Sequence, residues 1–248
     1  MTQRSRERFA ALVRGEEVDV GLACLLIGCE VEPDLDVDAG LRALDALAAA
    51  ARPLLVDGAV AGLQEALGAF HGAAEDYDDL RSSLLHEVLR RRRGLPILLS
   101  VVWCEVAGRL GVPAVALGLP GHVLVEVGGT VVDPFAGGAL VPGAPHEPVL
   151  DPVSLLTRVL TNIRVLTSRQ ARSLETARTR LWATELGLLL PHHAVGLRRE
   201  RGELLVRLGD HLGGARELEE YASLVEPVDE GEAETALRQA RLARARLN

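Results

Sequence analysis

The segment from Gly94 to Ala114, "GLPILLSVVWCEVAGRLGVPA", constrains the fold more than any other. Pro96 suits the first turn of a helix, where its missing N–H would have no intrahelical acceptor anyway. From Ile97 to Leu110 apolar residues fall on almost every side of a helical wheel. A helix that is apolar all round has to be enclosed by other elements. Gly111 and Pro113 end it. Next, "AVALGLP" reads as a buried strand and "PGHVLVEVGGTVVDPF" as a hairpin, so a small sheet is expected against the helix.

If Gly128 and Gly129 form the two-residue turn of that hairpin, Val127 pairs with Thr130, Glu126 with Val131, Val125 with Val132 and Leu124 with Asp133. Side chains alternate between faces, so His122, Leu124 and Glu126 share a face with Val131 and Asp133. His122 and Asp133 are then diagonal neighbours, within reach of a hydrogen bond. An imidazole held by a carboxylate is the base half of a Cys-His-Asp or Ser-His-Asp site. The same pair also suits two polar groups that satisfy each other in a partly buried sheet.

Helices are expected on both sides of this centre. In the first 70 residues "VGLACLLIGCEV" is a short apolar helix, and Asp36 can cap the next one. Cys24 and Cys29 lie in the apolar helix with no neighbouring ligands, which fits core packing. A helix is expected from about Ser82 to Arg93, with Gly94 as its left-handed stop and four arginines near its carbonyl end. Glu87 could pair with Arg90 or Arg91 at helical spacing, or turn toward His122. After Asp151, helices are expected near 152–168, 173–189, 194–208, 212–224 and 232–246. Pro191 and Pro227 each close a helix, about one tetratricopeptide helix pair apart. The proline-rich "PGAPHEPVLDP" marks a boundary, giving domains 1–150 and 151–248. His146 in that linker reads as solvated, and adjacent His192 and His193 do not make a metal site.

Composition removes several functions. The net charge is −8 and aromatics are 3% of the chain, which argues against nucleic acid or an anionic membrane as partner. All 27 basic residues are arginine, so no lysine Schiff base and no phosphate-binding lysine is possible. Three cysteines without paired spacing argue against a disulfide framework. With no apolar leader and no membrane-length stretch, a cytoplasmic location is expected. No cofactor and no metal is expected.

The pieces "EVLRRRRGLPI", "GRLGVPA", "LPGHVLVEV" and "VDPFAGG" resemble the bacterial SirB-type proteins, a branch of the transglutaminase-like superfamily with a tetratricopeptide-like tail. "EDYDDLRSS" resembles the family's tyrosine-containing loop, and "RERGELLVRLGD" and "ELEEYASLVEP" its C-terminal helices. The resemblance implies an α+β protein: N-terminal helices, a papain- or transglutaminase-like core with its central helix on a small antiparallel sheet, and a tetratricopeptide-like helical tail. His122 and Asp133 then match the family's histidine and aspartate. In active members of the superfamily the cysteine opens the central helix, where the helix terminus favours the thiolate. Here Pro96 stands at that point. Ser100 follows one turn later and Cys104 two turns later. The expectation is a scaffold or regulatory protein that keeps His122 and Asp133, lacks the nucleophile, and binds a protein or peptide partner through its C-terminal helices. The alternative is an acyl-transfer or peptide-hydrolysing enzyme using Ser100 or Cys104 with His122 and Asp133.

Overall fold

The computed structural model describes residues 3–143 and 148–246. His146 and the middle of the linker lie outside the described residues. Six helices come first: α1 (Gln3–Leu12), α2 (Val20–Gly28), α3 (Val37–Ala51), α4 (Ala59–Leu67), α5 (Leu85–Arg91) and α6 (Pro96–Arg109). The strands β1 (Ala114–Leu119), β2 (His122–Val127), β3 (Thr130–Asp133) and β4 (Ala139–Leu140) follow, then α7 (Pro152–Arg169), α8 (Leu174–Leu189), α9 (Gly196–Arg207), α10 (His211–Val225) and α11 (Glu230–Ala245).

The central helix is enclosed as its composition demands. Pro96 through Trp103 is buried without interruption, as are Val106 and Ala107. Helices α2, α3, α4 and α5 pack on it, and so do β1 and β2. The sheet is antiparallel in the order β1-β2-β3-β4. Its hairpin register pairs Val125 with Val132, Glu126 with Val131 and Val127 with Thr130. Gly128 and Gly129 carry φ of 54° and 86°, the left-handed pair that a tight hairpin turn requires. Val123, Val125, Val127 and Val132 are buried on the face opposite His122 and Asp133.

Two local expectations are corrected. The helix expected from Ser82 starts at Leu85, after a 3-10 turn over Leu80–Ser83. The Ser82 hydroxyl donates to Asp76 (2.9 Å) and Leu84 is extended, so the side chain competes with helical continuation. The left-handed stop of α5 is Arg92 (φ 56°), not Gly94. Gly94 serves close packing instead: a Cβ there would stand 2.6 Å from Val88 Cγ2.

By backbone contacts the chain divides into two compact units, Met1–Val159 and Leu160–Asn248, with the division inside α7. In the second unit α8 packs on α9, α9 on α10 and α10 on α11. The α9–α10 approach is backbone to backbone, because a Cβ on Gly214 would lie 2.6 Å from Gly202 O. Alanine dominates the α10–α11 seam, with Ala215, Ala222, Ala233, Ala236, Ala240 and Ala243 buried. Arginine forks tie the helices together: Glu200 receives both Arg164 and Arg180, and Glu217 receives Arg198 and Arg201. No helix among the described residues is long and apolar enough to cross a membrane.

Gly108 gives a contrast with Gly214. It is helical, and a Cβ there meets nothing within 4 Å. In urea denaturation Gly108→Ala should raise stability by about 0.5–1 kcal/mol. Gly214→Val should lower it by about 1–3 kcal/mol through overpacking.

Candidate functional site

His122 opens β2 and Asp133 closes β3, and the hairpin brings them together with His122 Nε2 3.0 Å from Asp133 Oδ2. Asp133 also caps the 3-10 turn Pro134–Ala136, its Oδ1 accepting the Phe135 N–H at 2.9 Å. The capping bond therefore fixes the rotamer that faces the imidazole. Burial pushes the Asp133 carboxyl up, but the hydrogen bond and charge of His122, with the Phe135 N–H, outweigh it and hold the carboxyl below the usual range. An ionised carboxylate can only accept, so Nε2 carries a proton, and in the neutral imidazole the lone pair is then on Nδ1. Among the described residues Nδ1 has no hydrogen-bond partner. From the backbone side, Arg158 Nη1 donates to Leu119 O (3.0 Å), which steadies the turn leading into His122.

An aromatic wall borders the pair. Phe135 meets the imidazole edge-on at 5.8 Å between ring centroids, and Tyr77 tilts against Phe135 at 6.0 Å. Burial, then the Asp133 charge, raises the Tyr77 phenol above its ordinary range, so its ring belongs to the same microenvironment. Phe135 is seated by Gly72, which donates to Phe135 O (3.0 Å) and where a Cβ would fall 1.9 Å from the ring.

The loop that carries Tyr77 is anchored by Asp76, a residue the sequence reading did not single out. Asp76 is 2% exposed. Its carboxylate accepts from the Ala73 N–H (2.8 Å), the Ser82 hydroxyl (2.9 Å) and Arg93 Nη2 (3.2 Å). The arginine run is thereby accounted for. Arg93 binds Asp76, Arg91 lies 3.1 Å from Asp79, Arg90 grips Glu87 at 2.7 Å, and Arg92 lies over the Phe70 ring. Glu87 thus pairs with Arg90. The only sign of Asp76's role in the sequence is an acid in a polar loop near an arginine run, and nothing there selects it from Glu75, Asp78 or Asp79.

The structure does not hydrogen-bond either candidate nucleophile to His122. The Ser100 hydroxyl is fully buried and donates to Pro96 O at 2.8 Å, with Val123 O at 3.4 Å. The Cys104 thiol is pushed up to about 12 by burial and by the charge of Glu105. At pH 7 it is then held as the thiol, not the thiolate. Pro96 is the first residue of α6 and is itself buried. Cys24 and Cys29 are buried, and burial raises both thiols. His193 Nδ1 lies 3.0 Å from Leu190 O, and His192 sits at φ 56°. Among the described residues no group of three His, Cys, Asp or Glu is placed to hold a metal ion.

A family model described as the transglutaminase-like superfamily matches residues 38–166. The chain is similar to a UPF0162 protein of Xylella fastidiosa (strain Temecula1), 32% identical over 180 residues covering 62% of this chain and 63% of that one. It is also similar to UPF0162 protein PA3419 of Pseudomonas aeruginosa, 36% identical over 128 residues covering 48% and 47%. A 57-residue stretch is 39% identical to F-box only protein 21 of Mus musculus, covering 23% of this chain and 9% of that protein. The chain thus spans less than two thirds of the length of the curated relatives it matches. No solved structure matches.

Nitrogen-15 NMR of His122 should show the Nε2-protonated tautomer, and Asp133→Asn should shift it toward a mixture. Asp133 has a lowered folded pKa, so its stabilisation is complete above the unfolded value of about 3.9 and is lost as pH falls through the folded value. Acid titration of stability should accordingly show a shallower loss below about pH 4 in Asp133→Asn than in the wild type.

Proposed function

Since the chain belongs to the transglutaminase-like superfamily, we propose that it is a non-catalytic member: a scaffold or regulatory protein that keeps the His122–Asp133 frame and binds a protein or peptide partner. The observation that carries this reading is the start of α6. Acyl transfer needs a nucleophile whose proton the imidazole can take. Pro96 offers no such atom, and the Ser100 proton is committed to the carbonyl of Pro96. Cys104 is partly exposed but lacks the electropositive setting that makes a thiol reactive, because the charge beside it is the acid Glu105. The free lone pair on His122 Nδ1, walled by Phe135 and Tyr77, remains able to accept a hydrogen bond from a bound group.

The SirB-type motif pieces support placing the chain in that branch, with a core over 1–150 and a tetratricopeptide-like tail over 151–248. Consecutive packing of α8 through α11 supports the tail assignment, and helical arrays of that kind bind extended segments or helices. The charge and aromatic content support a protein partner over nucleic acid, and the sequence supports a cytoplasmic setting.

The test is covalent labelling of the full chain with a fluorophosphonate and with a peptide vinyl sulfone. No His122-dependent labelling is expected with either. Labelling that is abolished both by His122→Ala and by Ser100→Ala or Cys104→Ala would overturn the reading in favour of an acyl-transfer or peptide-hydrolysing enzyme.

A further inference from the structure

A cleft of about 420 Å³, away from His122 and Asp133 in sequence and in lining, is formed by α3, α5 and the turn before α3. That volume falls within the range of small-molecule pockets. Leu35, Ala39, Ala43 and Leu89 give it an apolar lining, and Glu32, Asp36, Glu87, His86 and Arg90 supply its polar groups.

Most of those polar groups already have partners. Asp36 accepts the Ala39 N–H at 2.8 Å and pairs with Arg42 at 3.1 Å. Glu87 and Arg90 hold each other at 2.7 Å. Two groups are left over, and they face each other. The His86 side chain is 11% exposed, and its Nε2 lies 3.7 Å from Glu32 Oε2, beyond hydrogen-bond distance. Its other nitrogen, Nδ1, is buried without a hydrogen-bond partner, against Gly28. Since Nδ1 points at α2, the Nε2 edge is the one turned toward Glu32. Among the described residues Glu32 is the one carboxylate of the cleft that accepts no hydrogen bond. Nδ1 is packed away against α2, so Nε2, which has no hydrogen-bond partner among the described residues, is the ring nitrogen left for a group entering the cleft.

We propose that this cleft binds a primary alkylammonium group, with the ammonium donating to Glu32 Oε2 and His86 Nε2 and the alkyl stem lying along Leu35, Ala39, Ala43 and Leu89. An ammonium offers three donors and no acceptor, which matches two acceptors side by side. Burial holds the His86 imidazole below the ordinary histidine range, so at neutral pH it is uncharged, and an ammonium between Nε2 and Glu32 selects the tautomer with the proton on Nδ1 and the lone pair on Nε2. Because Asp36 and Glu87 are neutralised by arginines, Glu32 supplies the one uncompensated charge, and its sign favours a cation. The chemistry is shared by a free small amine and by a lysine side chain of another protein. This chain contains no lysine to fill the cleft itself.

Titration calorimetry on the full chain tests the assignment with three probes: pentylamine, Nα-acetyl-lysine methylamide and hexanoate. One or both amines are expected to bind while hexanoate does not, with amide NMR shifts centred on Ala39, Ala43 and Leu89. Glu32→Gln, at a side chain more than half exposed and so harmless to folding, should weaken amine binding by about tenfold or more. Preference for pentylamine identifies a free amine as the ligand, and equal or tighter binding of the capped lysine identifies a partner's side chain. The proposal is overturned if neither amine binds at millimolar concentration, if hexanoate binds as well as pentylamine, or if Glu32→Gln leaves the affinity unchanged.

Discussion

A helix with no polar face cannot rest on a surface, and the first unit is built around that fact. Helix α6 is buried from Pro96 through Trp103, so helices cover it on one side and the sheet on the other. The candidate site inherits its geometry from this packing. Ser100 reaches Val123 O, next to His122, while also holding Pro96 O, and so links the first turn of α6 to the strand that carries the imidazole. Trp103 lies where a Cβ on Gly138 would be, 2.5 Å away, and this closes the loop after Asp133 onto the same helix. Pro96 suits this enclosure: it starts a helix without leaving an N–H unsatisfied in an apolar setting.

The elements legible in the sequence were those set by local pattern. The hairpin register follows from strict alternation around Gly128–Gly129, since a one-residue slip would turn Val123, Val125 and Val127 outward. The helices of the second unit have clear punctuation: Ser173, Asp210 and Asp229 each accept from a backbone N–H at the start of a helix. What escaped the reading depends on contacts distant in sequence or on competition within a turn. The role of Asp76 arises only when the Tyr77 loop meets Arg93, seventeen residues on. Arg92 takes the left-handed stop, and Gly94 packs against Val88 instead. His86 and Glu32 come from separate segments, and neither spacing nor composition announces their approach.

Using arginine alone as the basic residue shapes the second unit. A guanidinium presents several donors in a fixed plane, so one side chain can reach acids on two helices where an ammonium would act as a point charge. Arg201 takes Glu185 of α8 and Glu217 of α10, and Arg199 takes Glu203 within α9 and Glu232 of α11. Glu232 also accepts from the Tyr221 hydroxyl at 3.0 Å. Alanine and glycine line the closest approaches, between α9 and α10 and between α10 and α11. Shared forks of this kind set the register that larger side chains would otherwise impose.

The His122–Asp133 pair has a structural justification that does not require catalysis. Asp133 is 21% exposed on its side chain, and it needs donors wherever water is scarce. The Phe135 N–H supplies one and His122 supplies the other. Removing the imidazole would leave a half-buried carboxylate with backbone donors alone, from Phe135 and Ala136, at a cost of about 1–3 kcal/mol. The pair by itself is therefore no argument for an enzyme. What distinguishes a working site from a retained frame is the atom presented to Nδ1. The helix that would present it begins with a proline, and the first hydroxyl beyond that proline is bonded back to it.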